Sequence, residues 1–376
     1  MRSKLRGRLL KKMENKKKII FSGGGTLGSV VPLLAIYQNL IKLGYQKEDF
    51  LWVGTTNGPE KEFIENYGLK FKSINSSKLR RYFAWQNFID FLYLIIGFIE
   101  SLVIVLNFKP NLIISAGSFV SVPVAWAGRL FGKKIIIHQQ DFRPGLANKI
   151  MAPVADKITV TFEKSLKDFD QNKVIWIGNP VREEILKTYN LKLKTQNYEK
   201  FNLVEDKPVL LILGGGTGAL GINQVVVEVL AELTKFCQII HLTGKGKLIP
   251  SEDFPGYRAY EFLNEELPLA VKLAKVVISR TGMSTLTELS YLNKPTIVIP
   301  LPNSHQEENA KYFSDREAVI YLKQNELTKE KLINTIKGLL TDREKREKLG
   351  DNFRDSMKQG AGEEMVKIIK GLINKD

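Results

Sequence analysis

The sequence has little of the two side chains that most often cross-link chains or hold transition metals. Among its 376 residues there is one cysteine, Cys237, and there are three histidines. A single thiol cannot form an internal disulfide or a cysteine metal cluster. Three histidines also provide little material for a histidine-rich metal site. The composition therefore excludes a disulfide scaffold and argues against a metal centre.

Long uncharged apolar runs are missing as well. The most apolar stretch, residues 89–108, contains Asp90 and Glu100, whereas a membrane-spanning helix needs about 20 mostly uncharged apolar residues. We therefore expect a helix that is buried or lies on a surface. The preceding stretch mixes basic and aromatic side chains, namely Arg80, Arg81, Tyr82, Phe83, Trp85 and Phe88. This mixture suits the headgroup boundary of a bilayer, and it equally suits an amphipathic helix packed on a sheet.

Positive charge is in excess, with a formal net charge of +16. Residues 1–18 alone carry nine lysines or arginines against one glutamate. We interpret residues 1–17 as a solvated basic tail, although an anionic membrane or a nucleic acid would also attract it. The tail does not resemble a signal peptide, because only the short apolar run IIF follows it.

Strand-like and helix-like stretches alternate along the chain. The strand candidates are KKIIF, FLWVGT, NLIISA, KKIIIHQ, KITVTF and KVIWIG, then PVLLILG, FCQIIHLTG, KVVISR, PTIVIP and AVIYL. Alternating βα units predict parallel sheets covered by helices, and two series predict two doubly wound α/β domains. We place these domains at 18–185 and 207–350, with a linker at 186–206 where the apolar rhythm is weak. Residues 351–376 are expected to close the chain as helices, with a break near the sequence GAG.

Each predicted domain opens on a strand followed by three glycines and a threonine, in IIFSGGGT and LILGGGTGALG. A glycine-rich turn between a strand and a helix can cradle a phosphate, because backbone N–H groups at the helix start are unpaired. The repeat indicates a duplicated architecture. It does not show which of the two loops holds a phosphate.

The stretch 275–313 has the clearest nucleotide-binding pattern. A strand is followed by a turn at Gly282 and by a helix that begins at Met283. The unpaired N–H groups at such a start carry partial positive charge, which favours a diphosphate. Glu288 lies near the same helix face and can accept both hydroxyls of a ribose. Taken singly, Ser284 can equally be a helix cap and Glu288 a solvated charge.

Polar side chains also follow other predicted strands, where open parallel sheets bind their ligands. His305 and Gln306 follow PTIVIP, and Asp141 follows IIIHQQ. Glutamine and histidine supply the neutral hydrogen-bonding groups that a sugar needs. Arg182, in WIGNPVREEI, can reach a phosphate. Each residue also has an ordinary interpretation, as part of a capped loop or of an exposed ion pair that contributes little.

Taken together, these motifs resemble one family, the peptidoglycan N-acetylglucosaminyltransferases or MurG family. The matching stretches, in the family's order, are GGGTLGSVVP, AGSFVSVP, HQQDFRPGLANK, GNPVR, GGGTGALGINQ, HLTGKGK, RTGMSTLTE and HQEENA. The resemblance implies the GT-B fold, in which two Rossmann-like domains face each other across a cleft. It also implies an inverting transfer of N-acetylglucosamine from UDP-N-acetylglucosamine to lipid I, which gives lipid II at the cytoplasmic membrane face.

The resemblance further implies roles for individual residues. The implied donor site consists of Arg182, Gly216, Leu263, Met283, Ser284, Thr285, Leu286, Thr287, Glu288, His305 and Gln306. In it, residues 283–287 hold the diphosphate, Glu288 the ribose and the Leu263 backbone the uracil. Gln306, with His305 beside it, binds the sugar hydroxyls. The implied acceptor-side loop consists of Thr26, Leu27, Gly28 and Ser29.

Members of the family touch the bilayer through an apolar, basic-rimmed patch on the first domain. The resemblance therefore favours membrane contact by Arg80, Arg81, Phe83 and Trp85, and a peripheral location on the inner face of the cell membrane. The basic excess fits, since the membrane and the acceptor are both anionic. The implied partners are UDP-N-acetylglucosamine, a polyprenyl-diphosphate-linked acceptor and the membrane surface, with no nucleic acid, no cofactor and no metal.

The sequence departs from the family where the acceptor is expected. The first loop, usually GGTGGH, reads GGTLGS, so that Leu27 replaces a glycine and Ser29 the histidine, and Asp141 replaces the asparagine of HEQN. Displacement at an anomeric carbon needs a base for the acceptor hydroxyl. Serine is no base at neutral pH, whereas an aspartate ionises at about pH 4. We hypothesise that Asp141 takes part of the role lost at Ser29.

These departures leave two alternatives open. The first is a GT-B transferase that uses another UDP-sugar or another lipid acceptor. The second is a catalytically inactive GT-B homologue that scaffolds a membrane assembly. In the implied donor site, Gly216 stands where the family commonly has a serine, so a hydroxyl contact is lost there. An epimerase shares the fold, but GNPVR and HQEENA point away from it.

Overall fold

The computed structural model of the protein describes residues 17–76, 86–214, 218–250 and 254–373. The basic tail before residue 17, the four predicted membrane-contact residues Arg80, Arg81, Phe83 and Trp85, and Gly216 lie outside the described residues. Contacts divide the chain into two units. The first unit is Met1–Gln140, Pro144–Pro180 and Gly360–Asp376, and the second is Asp141–Arg143 and Val181–Gln359.

Each unit contains one parallel sheet. The strands of the first unit are β1 Ile19–Ser22, β2 Phe50–Thr55, β3 Phe71–Ile74, β4 Leu112–Ser115, β5 Lys134–Gln139, β6 Lys157–Val160 and β7 Val174–Trp176. Those of the second unit are β8 Val209–Leu213, β9 Gln238–Leu242, β10 Tyr257–Tyr260, β11 Val276–Ser279, β12 Thr296–Val298 and β13 Ile320–Tyr321. The strand orders are β3-β2-β1-β4-β5-β6-β7 and β10-β9-β8-β11-β12-β13, and neighbouring strands in both sheets run parallel. Both orders are those of the doubly wound Rossmann fold, as the alternating pattern predicts.

Helices connect the strands. They are α1 Val31–Lys42, α2 Glu60–Asn66, α3 Gln86–Phe108, α4 Ser121–Leu130, α5 Leu146–Met151, α6 Glu183–Tyr189, α7 Thr195–Glu199, α8 Leu220–Val227, α9 Leu230–Leu233, α10 Leu267–Leu273, α11 Met283–Tyr291, α12 Gln306–Ser314, α13 Lys329–Thr341, α14 Arg343–Asp355 and α15 Ala361–Ile373. Parallel strands need such crossovers, and the helices cover both sheet faces. In β1 and β8 the apolar side chains are therefore fully or almost fully buried.

Two strands, β3 and β10, carry no clear signal in the sequence. Both lie at the edge of their sheet. In β3 the sequence FKSI buries only Ile74, and in β10 the sequence YRAY buries only Tyr257. An edge strand covered on fewer sides needs fewer apolar residues, so the run of β-branched side chains that marks central strands is absent.

The division between units differs from the predicted linker at 186–206. The second unit begins at Val181, and α6 and α7 occupy much of the predicted linker. Three apolar side chains in this polar stretch, Tyr198, Phe201 and Leu203, are at most 8% exposed. These widely spaced apolar residues bury the segment without producing a clear helical or strand period.

The two closing helices belong to different units. They are separated at Gly360, whose φ of +80° suits a glycine. Helix α14 lies in the second unit, whereas α15 packs on α1 of the first unit through Met365 and Ile369. The predicted break near GAG thus coincides with the point where the chain returns to the first unit.

Helix α3 exposes much of its apolar surface. Its exposed side chains are Tyr93 44%, Ile95 44%, Ile96 43%, Ile99 54%, Val103 51% and Leu106 52%. Neighbouring α4 adds Trp126 and Leu130, which are 41% and 67% exposed. Among the described helices, none combines the length and apolar character needed to cross a bilayer. The most apolar stretch therefore forms a helix with one side packed and one side open.

A strand of each sheet carries a buried histidine. His138 at the end of β5 contacts Thr159 Oγ1 through Nδ1 and Asn179 Oδ1 through Nε2, both at 2.9 Å. His241 in β9 contacts the Tyr257 hydroxyl and Asn223 Oδ1 in the same way, at 3.0 and 3.1 Å. Burial lowers the pKa of each imidazole to about 4. Both rings are therefore neutral in the folded protein near pH 7.

This burial predicts a loss of stability in mild acid. Between pH 6.5, the ordinary value for histidine, and about 4, the unfolded chain binds a proton that folded His138 does not. Stability is therefore full above pH 6.5 and falls as the pH decreases, by up to about 1.4 kcal/mol per pH unit for one such group. In His138→Gln the free energy of unfolding should depend less on pH over this window.

Tryptophan fluorescence during urea unfolding can measure this effect in the first unit alone. All four tryptophans, at positions 52, 85, 126 and 176, belong to the first unit. His305→Gln is the matched control, because His305 is exposed and lies in the second unit. An identical pH dependence in wild type and His138→Gln would contradict the prediction.

Candidate functional site

The strand order decides where a ligand can bind in the second unit. Strand β8 lies between β9 and β11, so the chain leaves the carboxyl ends of β8 and β11 in opposite directions. The crevice at such a switch point is the usual ligand site of open parallel sheets. The loop after β11 leads directly into α11, which carries six of the predicted donor residues. The predicted diphosphate and ribose positions therefore lie at the expected edge.

The start of α11 has the geometry of an anion site. Gly282 is the N-cap, with φ −69° and ψ 125°, and no side chain caps the helix. A Cβ added at Gly282 would meet nothing within 4 Å, so the space beside the N-cap residue is open. Ser284 follows inside the first turn, which excludes its interpretation as the N-cap. The Thr287 hydroxyl donates to the Met283 carbonyl at 2.6 Å, as helical threonines often do.

A buried ion pair joins two predicted donor residues. Arg182 Nε and Nη2 donate to Glu288 Oε1 and Oε2 at 2.6 and 2.8 Å. The side chains are 6% and 8% exposed. The two-pronged geometry suits the planar guanidinium. Both carboxylate oxygens of Glu288, the predicted ribose acceptors, are thus oriented by Arg182 before any ligand binds.

Buried hydrogen bonds hold the loops that surround α11. Arg280 donates to the carbonyls of Ile299 and Pro300 and to Gln324 Oε1. The Thr281 hydroxyl donates to the backbone carbonyl of Gln306 at 2.6 Å. These contacts join the end of β11 to the loop after β12. The predicted diphosphate and sugar residues therefore lie on one connected framework.

The predicted sugar residues stand at the start of α12. His305 is the N-cap, and its side chain is 58% exposed. Gln306 Oε1 accepts from the backbone N–H of Leu301 at 3.1 Å. The side-chain amide of Gln306 is thereby held in one orientation. An exposed imidazole beside an oriented amide provides the neutral hydrogen-bonding groups that a sugar requires.

Asp141 is held against α12 by one buried amide. Asn309 Nδ2 donates to Asp141 Oδ1 at 2.9 Å, and Asn309 Oδ1 accepts from the backbone N–H of Phe142 at 3.0 Å. Asp141 Oδ1 also lies 3.9 Å from His305 Nε2. Asn309 is fully buried, whereas the Asp141 side chain is 33% exposed. The structure thus brings Asp141 together with the predicted sugar residues.

For the remaining predicted donor positions, the structure gives the place in the fold and the degree of burial. Leu263 lies between β10 and α10, and its side chain is 7% exposed. Leu286 is fully buried inside α11, and Thr285 is partly buried. The role predicted for the Leu263 backbone stays a prediction.

The predicted acceptor-side loop lies at the corresponding edge of the first sheet. Leu27–Ser29 form one 3-10 turn after Thr26. Leu27 packs on the apolar core of the first unit. Ser29 is 8% exposed, and no hydrogen-bond partner of its Oγ is found among the described residues. The two residues that depart from the family pattern are thus directed largely toward the protein.

Some contacts between residues of the site have no signal in the sequence alone. The partner of Glu288 is 106 positions away along the chain, and the partner of Asp141 is 168 positions away. The ending NA of HQEENA is the only local pointer to Asn309. Contacts over such distances follow from the fold and not from spacing.

Two Rossmann-like parallel sheets in one chain define the GT-B class of fold. Residues 19–160 match the glycosyltransferase family 28 N-terminal domain, and residues 209–368 match the C-terminal domain. The crystal structure of Acinetobacter baumannii MurG has a similar fold, with a TM-score of 0.69, 22% identity and coverage of 94% of this chain and 99% of that one.

Curated relatives narrow the class to one family. A Clostridium perfringens protein (strain 13) is 41% identical over 96% of both chains, and a Bacillus cereus protein (strain ATCC 14579) is 37% identical over 95% of this chain and 99% of its own. Each is named as a UDP-N-acetylglucosamine–N-acetylmuramyl-(pentapeptide) pyrophosphoryl-undecaprenol N-acetylglucosamine transferase. The chain belongs to this family, the MurG peptidoglycan glycosyltransferases.

The buried ion pair predicts an asymmetric response to mutation. Arg182→Met leaves the Glu288 carboxylate buried without its cation, which should lower the free energy of unfolding by about 3–5 kcal/mol. The double variant Arg182→Met with Glu288→Leu removes both charges and should recover much of this loss. Urea unfolding followed by circular dichroism measures the difference.

A matched control lies on α6. Lys187 pairs with Glu183 at 2.8 Å, but the Lys187 side chain is 73% exposed. Lys187→Met should leave the free energy of unfolding nearly unchanged, since exposed pairs contribute little. A double variant no more stable than Arg182→Met would contradict the interpretation.

Proposed function

We propose that the protein transfers N-acetylglucosamine from UDP-N-acetylglucosamine to a polyprenyl-diphosphate-linked N-acetylmuramyl pentapeptide (lipid I). The product would be lipid II, a precursor of the cell wall. The observation that carries the proposal is the near full-length similarity to enzymes named for this transfer, at 41% identity in the C. perfringens protein. The pre-formed site at the carboxyl edge of the second sheet supports it.

In this proposal the donor binds along the loops after β11 and β12. The diphosphate lies at the open helix start formed by Gly282 and residues 283–287, where the helix dipole favours negative charge. Glu288, oriented by Arg182, accepts the ribose hydroxyls. Gln306 and His305 bind the sugar, and the backbone of Leu263 meets the uracil.

The chemistry would be a direct displacement at the anomeric carbon. The acceptor hydroxyl forms the new C–O bond, the bond to the diphosphate oxygen breaks, and the configuration inverts. The hydroxyl proton passes to Asp141, and UDP leaves with its charge facing the start of α11. Support for Asp141 comes from its position, since Asn309 holds its carboxylate near His305. Helix N–H groups can stabilise the leaving diphosphate, so the proposal includes no metal or other cofactor, and transfer should persist in EDTA.

We also propose that the apolar face of α3 contacts an anionic membrane surface from the inner side of the cell membrane. Six of its apolar side chains are between 43% and 54% exposed. Exposed Lys109 and Arg129 lie at the ends of α3 and α4. Apolar side chains with neighbouring cations suit an interfacial helix. No nucleic acid partner is proposed.

A direct assay tests the proposed reaction. Purified protein is given labelled UDP-N-acetylglucosamine and a water-soluble lipid I analogue, and the labelled disaccharide product is measured. We expect transfer, and we expect unlabelled UDP to inhibit it. Transfer only to other acceptors would replace the proposal with a different GT-B transferase. Binding of the UDP-sugar without turnover on any acceptor would instead indicate an inactive scaffold.

Asp141→Asn tests the proposed base. The asparagine Oδ1 can still accept from Asn309, so the loop should keep its position. Loss of a general base should lower kcat by about 100-fold or more, while the Kd for UDP measured by calorimetry should not change. Asp315→Asn is the control, because Asp315 is an exposed carboxylate just beyond α12. Full turnover in Asp141→Asn would remove Asp141 from this role.

Vesicle binding tests the proposed membrane face. The double variant Ile99→Glu with Val103→Glu should weaken sedimentation with phosphatidylglycerol vesicles by about tenfold or more, because two exposed apolar side chains lose their gain from burial. Turnover of the water-soluble acceptor should be retained. Leu248→Glu, which alters a side chain 58% exposed in the second unit, should have no effect. Equal binding by both variants would contradict the assignment.

A further inference from the structure

The loop after β1 is held by buried side chains through three successive backbone carbonyls. The Ser22 carbonyl accepts from Ser121 Oγ at 2.8 Å, and the Gly23 carbonyl from Trp52 Nε1 at 2.9 Å. The Gly24 carbonyl accepts from Ser118 Oγ at 2.9 Å. The donors come from β2 and from the segment after β4, the two strands that flank β1. The loop is therefore fixed from both sides of the switch point.

A buried carboxylate fixes the next peptide of the same loop. Glu60, the first residue of α2, is fully buried. Its Oε2 accepts from the backbone N–H of Gly25 at 3.1 Å, and its Oε1 from the N–H of Thr55 at 2.7 Å and from the Thr55 hydroxyl. Carboxylates that accept several N–H bonds are strong acceptors. The Gly25 amide thus points toward Glu60 and is not available to a ligand.

The glycines allow this close approach. A Cβ at Gly24 or at Gly58 would collide with the carboxyl group of Glu60. The glycines at these two positions therefore allow the loop to pack directly against the Glu60 carboxylate. The Thr26–Ser29 turn follows directly after these held peptides.

Ser118 itself has a backbone conformation that serine seldom adopts. Its φ is +93°, next to Gly117 at +92°. Such backbone strain persists only where the surrounding structure imposes it, and it concentrates at functional sites. A glycine at this position would be free of strain, so the serine is explained by its hydroxyl bond to Gly24.

We propose that Glu60 and Ser118 are positioning residues for the acceptor, an inference that rests on the proposed function. Ser118 turns the Gly24 carbonyl, and Glu60 the Gly25 N–H, toward side chains of the first unit. Carbonyl oxygens facing an acceptor diphosphate would repel it, so this arrangement leaves the Thr26–Ser29 turn as the anion-facing part. Both residues belong to the first unit, whereas the described donor residues belong to the second. Their loss should therefore affect the acceptor and not the donor.

Ser118→Gly separates positioning from stability. The variant removes the hydroxyl and relieves the left-handed strain, so the unfolding midpoint should not decrease. The KM for the lipid I analogue should rise about tenfold, as for the loss of one hydrogen bond in a restrained site. The KM for UDP-N-acetylglucosamine should stay within about twofold. Ser118→Ala, which loses the hydroxyl but keeps the strain, should show the same KM change with a lower midpoint.

Glu60→Gln tests the carboxylate with the smallest change in shape. One of its two acceptor oxygens becomes an NH₂ group facing another donor, so the Gly25 amide or the Thr55 amide loses its partner. We expect about tenfold or greater loss of kcat/KM for the acceptor, unchanged Kd for UDP, and faster hydrogen exchange across residues 23–26. Glu65→Gln, an exposed change on the same helix, should match wild type in all three measurements.

The outcomes distinguish the two levels of the proposal. Absence of transfer to the lipid I analogue by wild type would overturn the proposed function and this inference with it. Active wild type with equal losses toward donor and acceptor in Glu60→Gln would show a general structural role and overturn positioning alone. Unchanged hydrogen exchange and unchanged acceptor KM in both variants would also overturn it.

Discussion

Parallel strand pairing is the constraint from which the rest of this structure follows. Parallel neighbours require a crossover for every connection, so all carboxyl ends of a sheet meet at one edge. In each unit the first strand, β1 or β8, becomes a central strand with connections leaving on both sides. The loops that follow β1, β4, β8 and β11 therefore collect at two crevices. Residues of the candidate sites that are far apart in the chain come together at these crevices, although no local sequence pattern connects them.

Three carboxylates at these crevices accept hydrogen bonds from fixed donors. Arg182 holds both oxygens of Glu288, Asn309 holds Asp141, and Glu60 holds the first glycine loop. A buried charge without a partner is costly, so each carboxylate in such a place needs fixed donors. The same contacts fix orientation. A pre-organised site does not need to reorganise during the reaction, which is how electrostatic stabilisation lowers a barrier.

The departures from the family pattern acquire a physical meaning in the structure. Ser29 is nearly buried and Leu27 packs on a core, so this turn contributes backbone more than side chains. Asp141, by contrast, remains one third exposed on the side of the donor residues. Asp141 thus lies in the second unit, whereas Leu27 and Ser29 lie in the first.

The sequence by itself determined the class of fold, because central parallel strands are buried on both faces and read as short β-branched runs. It also determined the order of motifs, the helix start at Gly282 and the candidate site residues. It did not reveal β3 and β10, since edge strands bury few side chains. Nor did it reveal that Arg182 pairs with Glu288 or that Glu60 supports the glycine loop. Such contacts join residues up to 168 positions apart, and only the tertiary structure decides them, because packing and not local periodicity brings those side chains together.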